Sequence, residues 1–240
     1  MKFSPHLSNR ILDTGSNTYV SLIIAIDGPS GSGKTTLGRM LARALNLIYV
    51  DTGSMYRAVA LGVINASISP TDETAVTRLA ESLDIDLSGD PDSLKVFLNG
   101  ADVTEQIRSE EVTRMSSIVS VIPGVRRAMV ALQRQIGLKG AVLNGRDIGT
   151  VVFPDASYKF FLTASVTERA NRRYKEDVTK NSDVSLAATL ADMTERDLRD
   201  STRADSPLKI AADAVVIDSS GMSIDEVFNL MVATVTKETV

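Results

Sequence analysis

The chain has 240 residues, with 43% hydrophobic and 23% charged side chains and a net charge of −4. Those values describe an ordinary folded domain, not a fibrous or disordered chain. Cys is absent and His6 is the one histidine, which excludes thiol nucleophiles, Cys-ligated metal, a Ser-His-Asp triad and a multi-His metal site. The acidic balance argues against a general nucleic-acid binder. No apolar run approaches the ~20 residues of a membrane span, so the expectation is a cytoplasmic protein with no membrane or nucleic-acid partner. Residues 1–20 read as a loosely ordered N-terminal extension, and 21–240 as the folded domain.

Ser21–Ile26 is a short, nearly continuous apolar run, as in a buried parallel strand. Leu37, Met40, Leu41, Ala44 and Leu45 recur at helical spacing, followed by a strand at Leu47–Val50 and a helix from Met55 to about Ile64. Residues 67–106 differ. A helix start near Pro70–Glu73 leads to short apolar runs around Ile85 and Val96, and Asn99-Gly100 is a hairpin signal. These runs predict a small inserted lobe between core segments 21–66 and 107–240.

Helical spacing resumes at Val112–Val119, and Pro123 opens a second helix that ends by Gly140. Strands are predicted at Ala141–Leu143 and Lys159–Leu162, helices at Val166–Lys175 and Leu186–Ser201, a strand at Ala214–Ile217 and a helix at Ile224–Val235. The alternation predicts an α/β fold with a parallel sheet flanked by helices.

Between the first strand and first helix, Gly28-Pro29-Ser30-Gly31-Ser32-Gly33-Lys34-Thr35 fits the phosphate-binding loop G-x-x-x-x-G-K-[ST], and Thr36 follows it. Glycines let backbone N–H groups turn inward around a polyphosphate, and the helix start adds its positive end. Lys34 suits the β- and γ-phosphates of ATP, and the Thr35 hydroxyl suits Mg²⁺. The loop alone does not separate a kinase from other nucleotide-hydrolysing proteins. No N-K-x-D guanine motif is present, and Asp86–Gly89 fits D-x-x-G only inside the inserted lobe.

Other residues read ambiguously alone. Arg57 follows the second strand, where sheet proteins gather ligands, yet it equally suits a solvated helix. Ser117 suits helix packing. Arg196, Arg199, Asp200 and Arg203 share one helix face, which by pattern reads as a salt-bridged exposed surface.

Four ordered stretches change that weighting: Ile26–Thr35, Asp51-Thr-Gly-Ser-Met-Tyr-Arg57, Asn144-Gly-Arg-Asp-Ile-Gly-Thr-Val-Val-Phe-Pro-Asp155 and Arg196-Asp-Leu-Arg-Asp-Ser-Thr-Arg203. Together, over about Leu22–Val235, they resemble the bacterial cytidylate kinases. The resemblance implies the fold of nucleoside monophosphate kinases, with a P-loop core, residues 67–106 as the nucleoside-monophosphate-binding lobe and about 165–203 as a short helical lid. It implies ATP as phosphoryl donor, CMP or dCMP as acceptor, Mg²⁺ and a monomer. It assigns Thr52 and Arg57 to the CMP phosphate, and Ser117, Arg126, Arg146 and Asp147 to the base. It places Arg196, Asp200 and Arg203 at the sugar and phosphates, with Lys34, Arg196 and Arg203 acting in catalysis. It assigns Arg169 and Arg173 to ATP. The family often carries Asp or Glu where this chain has Asn144. The alternatives are a related kinase acting on UMP or a non-nucleotide acceptor, and an ATP-binding module without turnover.

Overall fold

The computed structural model describes residues 21–179 and 184–237; the expected extension at 1–20 lies outside them. In chain order the elements begin β1 (Ile23–Asp27), α1 (Lys34–Leu45), β2 (Ile48–Asp51), α2 (Thr52–Asn65) and α3 (Glu73–Ser82). Then come β3 (Ile85–Ser88), β4 (Lys95–Leu98), β5 (Ala101–Asp102), α4 (Glu110–Val119) and α5 (Pro123–Gly137). The remainder is β6 (Ala141–Gly145), a π-helical turn (Ile148–Val152), β7 (Tyr158–Thr163), α6 (Val166–Thr179), α7 (Leu186–Thr202), β8 (Val215–Asp218) and α8 (Ile224–Lys237).

Five parallel strands form the main sheet in the order β2-β6-β1-β7-β8. β1 is its middle strand, which is why its sequence is apolar on both faces. Ala25 joins an apolar cluster with α2, α4 and α5, while Ile24 and Ile26 join another with α1 and α8. Fully burying each such Ile contributes roughly 1.5–3 kcal/mol.

The register brings the strand ends together. Asp27 lies beside Gly145, and Asp51 beside Asn144. The segments that follow β1, β2 and β6 therefore leave the sheet at one edge, where open parallel sheets bind ligands.

Residues 67–106 form α3 and the antiparallel sheet β3-β4-β5. Asn99 and Gly100 both take positive φ, as the predicted tight hairpin requires. Ile85, Val96, Leu98 and Val103 bury into the same apolar cluster as α2 and α5, so this sheet is seated on the core. At Gly124 a Cβ would stand 2.2 Å from Thr77 Oγ1, so only glycine lets α5 approach α3 this closely.

Several boundaries differ from the sequence reading. α2 starts at Thr52 rather than Met55, because Asp51 Oδ1 accepts from Gly53 N and caps it. The helix start expected near Pro70–Glu73 falls at Glu73, with Asp72 capping α3 by accepting from Ala75 N. α6 continues to Thr179, past the predicted end at Lys175. Apolar periodicity could not reveal these points, because polar capping and exposed turns set them.

Candidate active site

β1 delivers the chain into the phosphate-binding loop at Gly28. A Cβ there would lie 2.0 Å from the Leu162 carbonyl oxygen on β7, and φ is +147°, so only glycine fits. Gly33, also at positive φ, precedes α1 without any side-chain cap, which leaves the first amides of α1 available to an anion. Lys34 is buried and folds back on the loop. Its Nζ donates to the Pro29 carbonyl at 2.5 Å and to Ser32 Oγ at 3.3 Å. Burial, reinforced by the nearby Arg146 charge, holds its pKa well below the usual lysine range. An ammonium held this way gains much from an entering phosphate.

Thr35 and Thr36 are exposed on the first turn of α1. Asn144, buried at the end of β6, donates from Nδ2 to Thr35 Oγ1 at 3.3 Å. Its Oδ1 is buried without a hydrogen-bond partner among the described residues. An orphaned acceptor is costly unless a ligand or water satisfies it.

The acceptor side is built by α2, α4, α5 and the segment after β6. Thr52 Oγ1 donates to the Asn144 carbonyl at 2.7 Å, fixing the start of α2 against β6. Arg57, one turn later, lies 3.3 Å from Asp51 Oδ2. Ser117 lines the cleft on α4 together with Thr113, Ser116 and Ser120.

Arg126 is 2% exposed, an extreme burial for a guanidinium. It lies over the Tyr56 ring, donates to the Ser120 carbonyl at 3.1 Å and pairs with Asp147 Oδ2 at 2.5 Å. Arg203 Nη2 lies 3.6 Å from the other Asp147 oxygen and its Nη1 3.8 Å from Asp200 Oδ1. Arg146 Nε donates to Asp200 Oδ2 at 2.7 Å. Burial would raise the Asp200 pKa, but Arg146, Arg196 and Arg203 hold it below the usual carboxylate value. Arg196 has no ion pair or hydrogen bond among the described residues. Burial and then the Arg146 charge push it down to about 10. Four arginines thus face two carboxylates, an excess of positive charge that suits anionic ligands.

The loop and this arginine wall share one cleft of about 940 Å³. It brings together Lys34, Thr35, Thr52, Arg57, Ser117, Arg126, Arg146, Asp147, Arg173, Arg196, Asp200 and Arg203. Arg173 reaches its rim, half exposed, with Nε on Asp177 Oδ2 at 2.9 Å. Arg169, expected at ATP, is not on the cleft wall. Its guanidinium donates to the carbonyls of Ala164 and Ser30 and pairs with Asp197 at 2.6 Å, bracing the loop from behind. The resemblance put it at ATP with Arg173, but its inward orientation depends on packing.

Sequence reasoning also gave Asp27 no role. Both its oxygens accept backbone hydrogens, from Ile148 N at 2.9 Å and Gly149 N at 2.8 Å. The signal was a carboxylate ending an otherwise apolar strand.

A parallel sheet feeding a phosphate-binding loop, opposite a wall of paired arginines in one cleft, defines a small P-loop phosphotransferase with two anionic ligands. The sequence profile of the cytidylate kinase family matches residues 24–237, and the chain belongs to that family. It is 47% identical to the cytidylate kinase of Geobacter sp. (strain M21), over 89% of this chain and 92% of that protein. It is 51% identical to the cytidylate kinase of Desulforamulus reducens, over 89% of this chain and 96% of the relative. The corresponding values for the Corynebacterium glutamicum cytidylate kinase are 49%, 88% and 93%. A crystal structure of an uncharacterized protein from Eubacterium ventriosum superposes with a TM-score of 0.52 at 11% identity, covering 91% of this chain and 99% of that one. It supports the fold.

Proposed function

We propose that the protein transfers the γ-phosphoryl group of ATP to CMP or dCMP, giving ADP and CDP or dCDP. Its membership of the cytidylate kinase family supports this, and the observation that carries it is the Arg126–Asp147–Arg203 cluster facing the phosphate-binding loop. The Asp147 carboxylate, held in place by Arg126 and Arg203, is a hydrogen-bond acceptor and suits a pyrimidine that presents an exocyclic amino group rather than a second carbonyl.

In the transfer, the bond from the γ-phosphorus to the β–γ bridging oxygen breaks and a bond to a CMP phosphate oxygen forms. That acceptor oxygen is already anionic near neutral pH, so no side chain has to remove a proton. This agrees with a chain whose lone histidine, His6, lies outside every motif. Loop amides and Lys34 hold the donor phosphates, and Thr52 and Arg57 hold the acceptor phosphate. Ser117, Arg126, Arg146 and Asp147 orient the base. Arg196, Asp200 and Arg203 meet the sugar and phosphates, and Arg196, which has no ion pair among the described residues, stabilises charge on the transferring group. Arg173 at the rim approaches ATP as the lid closes, shutting out water as a rival acceptor.

Mg²⁺ fits the residues present. The exposed Thr35 hydroxyl and the unpartnered Oδ1 of Asn144 are adjacent oxygen donors suited to a hydrated hard cation. Bound there, it supplies charge neutralisation on the ATP phosphates. We read 67–106 as the lobe that receives the monophosphate and about 165–203 as the lid. The enzyme acts as a cytoplasmic monomer in pyrimidine nucleotide metabolism.

The reading is tested with ATP labelled at the γ-phosphorus and CMP. The label should appear at the β-phosphorus of CDP. Release as inorganic phosphate alone would overturn the assignment.

A further inference from the structure

Asp27 is 4% exposed and ends the middle strand of the sheet. A strand interior needs no carboxylate, and burying one disfavours its charge. Its two hydrogen bonds explain its presence. The amides of Ile148 and Gly149 open the π-helical turn directly after Arg146 and Asp147. Asp27 itself directly precedes Gly28. One side chain therefore joins the root of the phosphate-binding loop to the segment that carries the acceptor contacts. The π-helical turn spends its first amides on Asp27 rather than on its own carbonyls.

We propose that Asp27 is a positioning residue for the acceptor nucleotide: through the Ile148 and Gly149 amides it holds Arg146 and Asp147 in register with the phosphate-binding loop. This rests on the (d)CMP kinase reading above. The charged groups around it are Lys34 from α1 and Asp147 from the segment after β6. Lys159 of β7 lies against Gly149, with its ammonium turned to Asp213. Burial, and to a lesser extent Asp147, raise the Asp27 carboxyl to about 6, while the two amides and Lys34 oppose the rise. Protonation takes away one of the two acceptor oxygens, so the same tie loosens in acid.

The test is Asp27→Asn, whose amide offers one acceptor to two N–H groups and turns an NH₂ toward the second. KM for CMP should rise about tenfold or more, and the preference for CMP over UMP should fall by a similar factor. KM for ATP should stay within about threefold. A loss of stability alone would lower Tm and leave KM and the base preference unchanged; in a folded variant that result overturns the proposal. If the variant does not fold, the unmutated protein decides. The NMR amide signals of Ile148 and Gly149 should titrate together with a midpoint of about 6. Signals that stay still between about pH 5 and pH 7 would overturn the proposal. A parent protein that fails to phosphorylate CMP contradicts the kinase reading, and the same titration then decides whether Asp27 holds this segment.

Discussion

Arg146 donates its Nε to Asp200 Oδ2 at 2.7 Å, joining the end of β6 to the C-terminal part of α7. The first residue directly follows β6 and the second belongs to the helical pair α6–α7. The pair therefore joins two walls of the cleft. Replacing Asp200 with Ala leaves Arg146 without its carboxylate in a half-buried site. We expect kcat/KM for CMP to fall by ten- to a hundredfold, about 1.5–3 kcal/mol, from the loss of a charged hydrogen bond. Steady-state kinetics of Asp200→Ala, Arg146→Ala and the double variant should give non-additive losses; strictly additive losses would show that the two residues act separately.

Lys34 is held by two oxygens of its own loop and has a depressed pKa. Lys34→Met should lower kcat by on the order of 10²–10³, roughly 3–4 kcal/mol of transition-state stabilisation. Stability should move the other way. For a lysine whose folded pKa lies below its unfolded value, the charged form is penalised in the folded state at neutral pH. The variant should therefore have a Tm equal to or above the parent's in calorimetry without nucleotide. A clear fall in Tm would contradict this electrostatic account.

Asp27 predicts a pH dependence of stability. Its pKa rises from 3.8 to about 6 on folding. The folded state thus binds the proton more tightly, and the stabilising contribution is fully present below about pH 3.8 and is lost as pH rises through about 6. The upper bound is about 3 kcal/mol across that window. Asp200, Asp102 and Asp213 are shifted downward and oppose the trend in acid. The comparison that isolates Asp27 is the difference in unfolding free energy between parent and Asp27→Asn at several pH values. That difference should vary between about pH 4 and pH 6 and flatten above; a constant difference would contradict the shift.

Asn144 brings an amide to the Thr35 hydroxyl where a carboxylate would add charge. Asn144→Asp should shift the Mg²⁺ dependence of turnover to lower concentration by several-fold, because a carboxylate holds the hydrated cation more strongly than an amide. Superimposable titrations of parent and variant would show that position 144 does not contribute to metal affinity.

Much of this arrangement was legible in the residues. The strand–loop–helix around Gly28–Thr35 could be read because its steric and electrostatic demands are local: positive φ, free amides and one lysine. The hairpin at Asn99-Gly100 was readable for the same reason. The arginines of α7 were ambiguous, because spacing fits both a solvated surface and a ligand wall. Only folding showed Arg203 beside Asp147, 56 positions earlier in the chain. Arg169 and Asp27 were not legible. Their positions depend on partners in distant segments, the Ser30 carbonyl and Asp197 for one and the Ile148 and Gly149 amides for the other. The start of α2 at Thr52 was missed because Asp51 caps it with a side chain that hydrophobic periodicity does not register.

The most direct measurement is a coupled ADP-release assay with ATP and Mg²⁺, offering CMP, dCMP, UMP and AMP separately. Turnover should be fast on CMP and dCMP and far slower on UMP, because Asp147 favours a pyrimidine that presents an amino group rather than a second carbonyl. Turnover on UMP at the CMP rate would contradict the role given to Asp147, turnover on AMP at that rate would contradict the cytosine assignment, and no turnover on any of the four would contradict the kinase assignment itself.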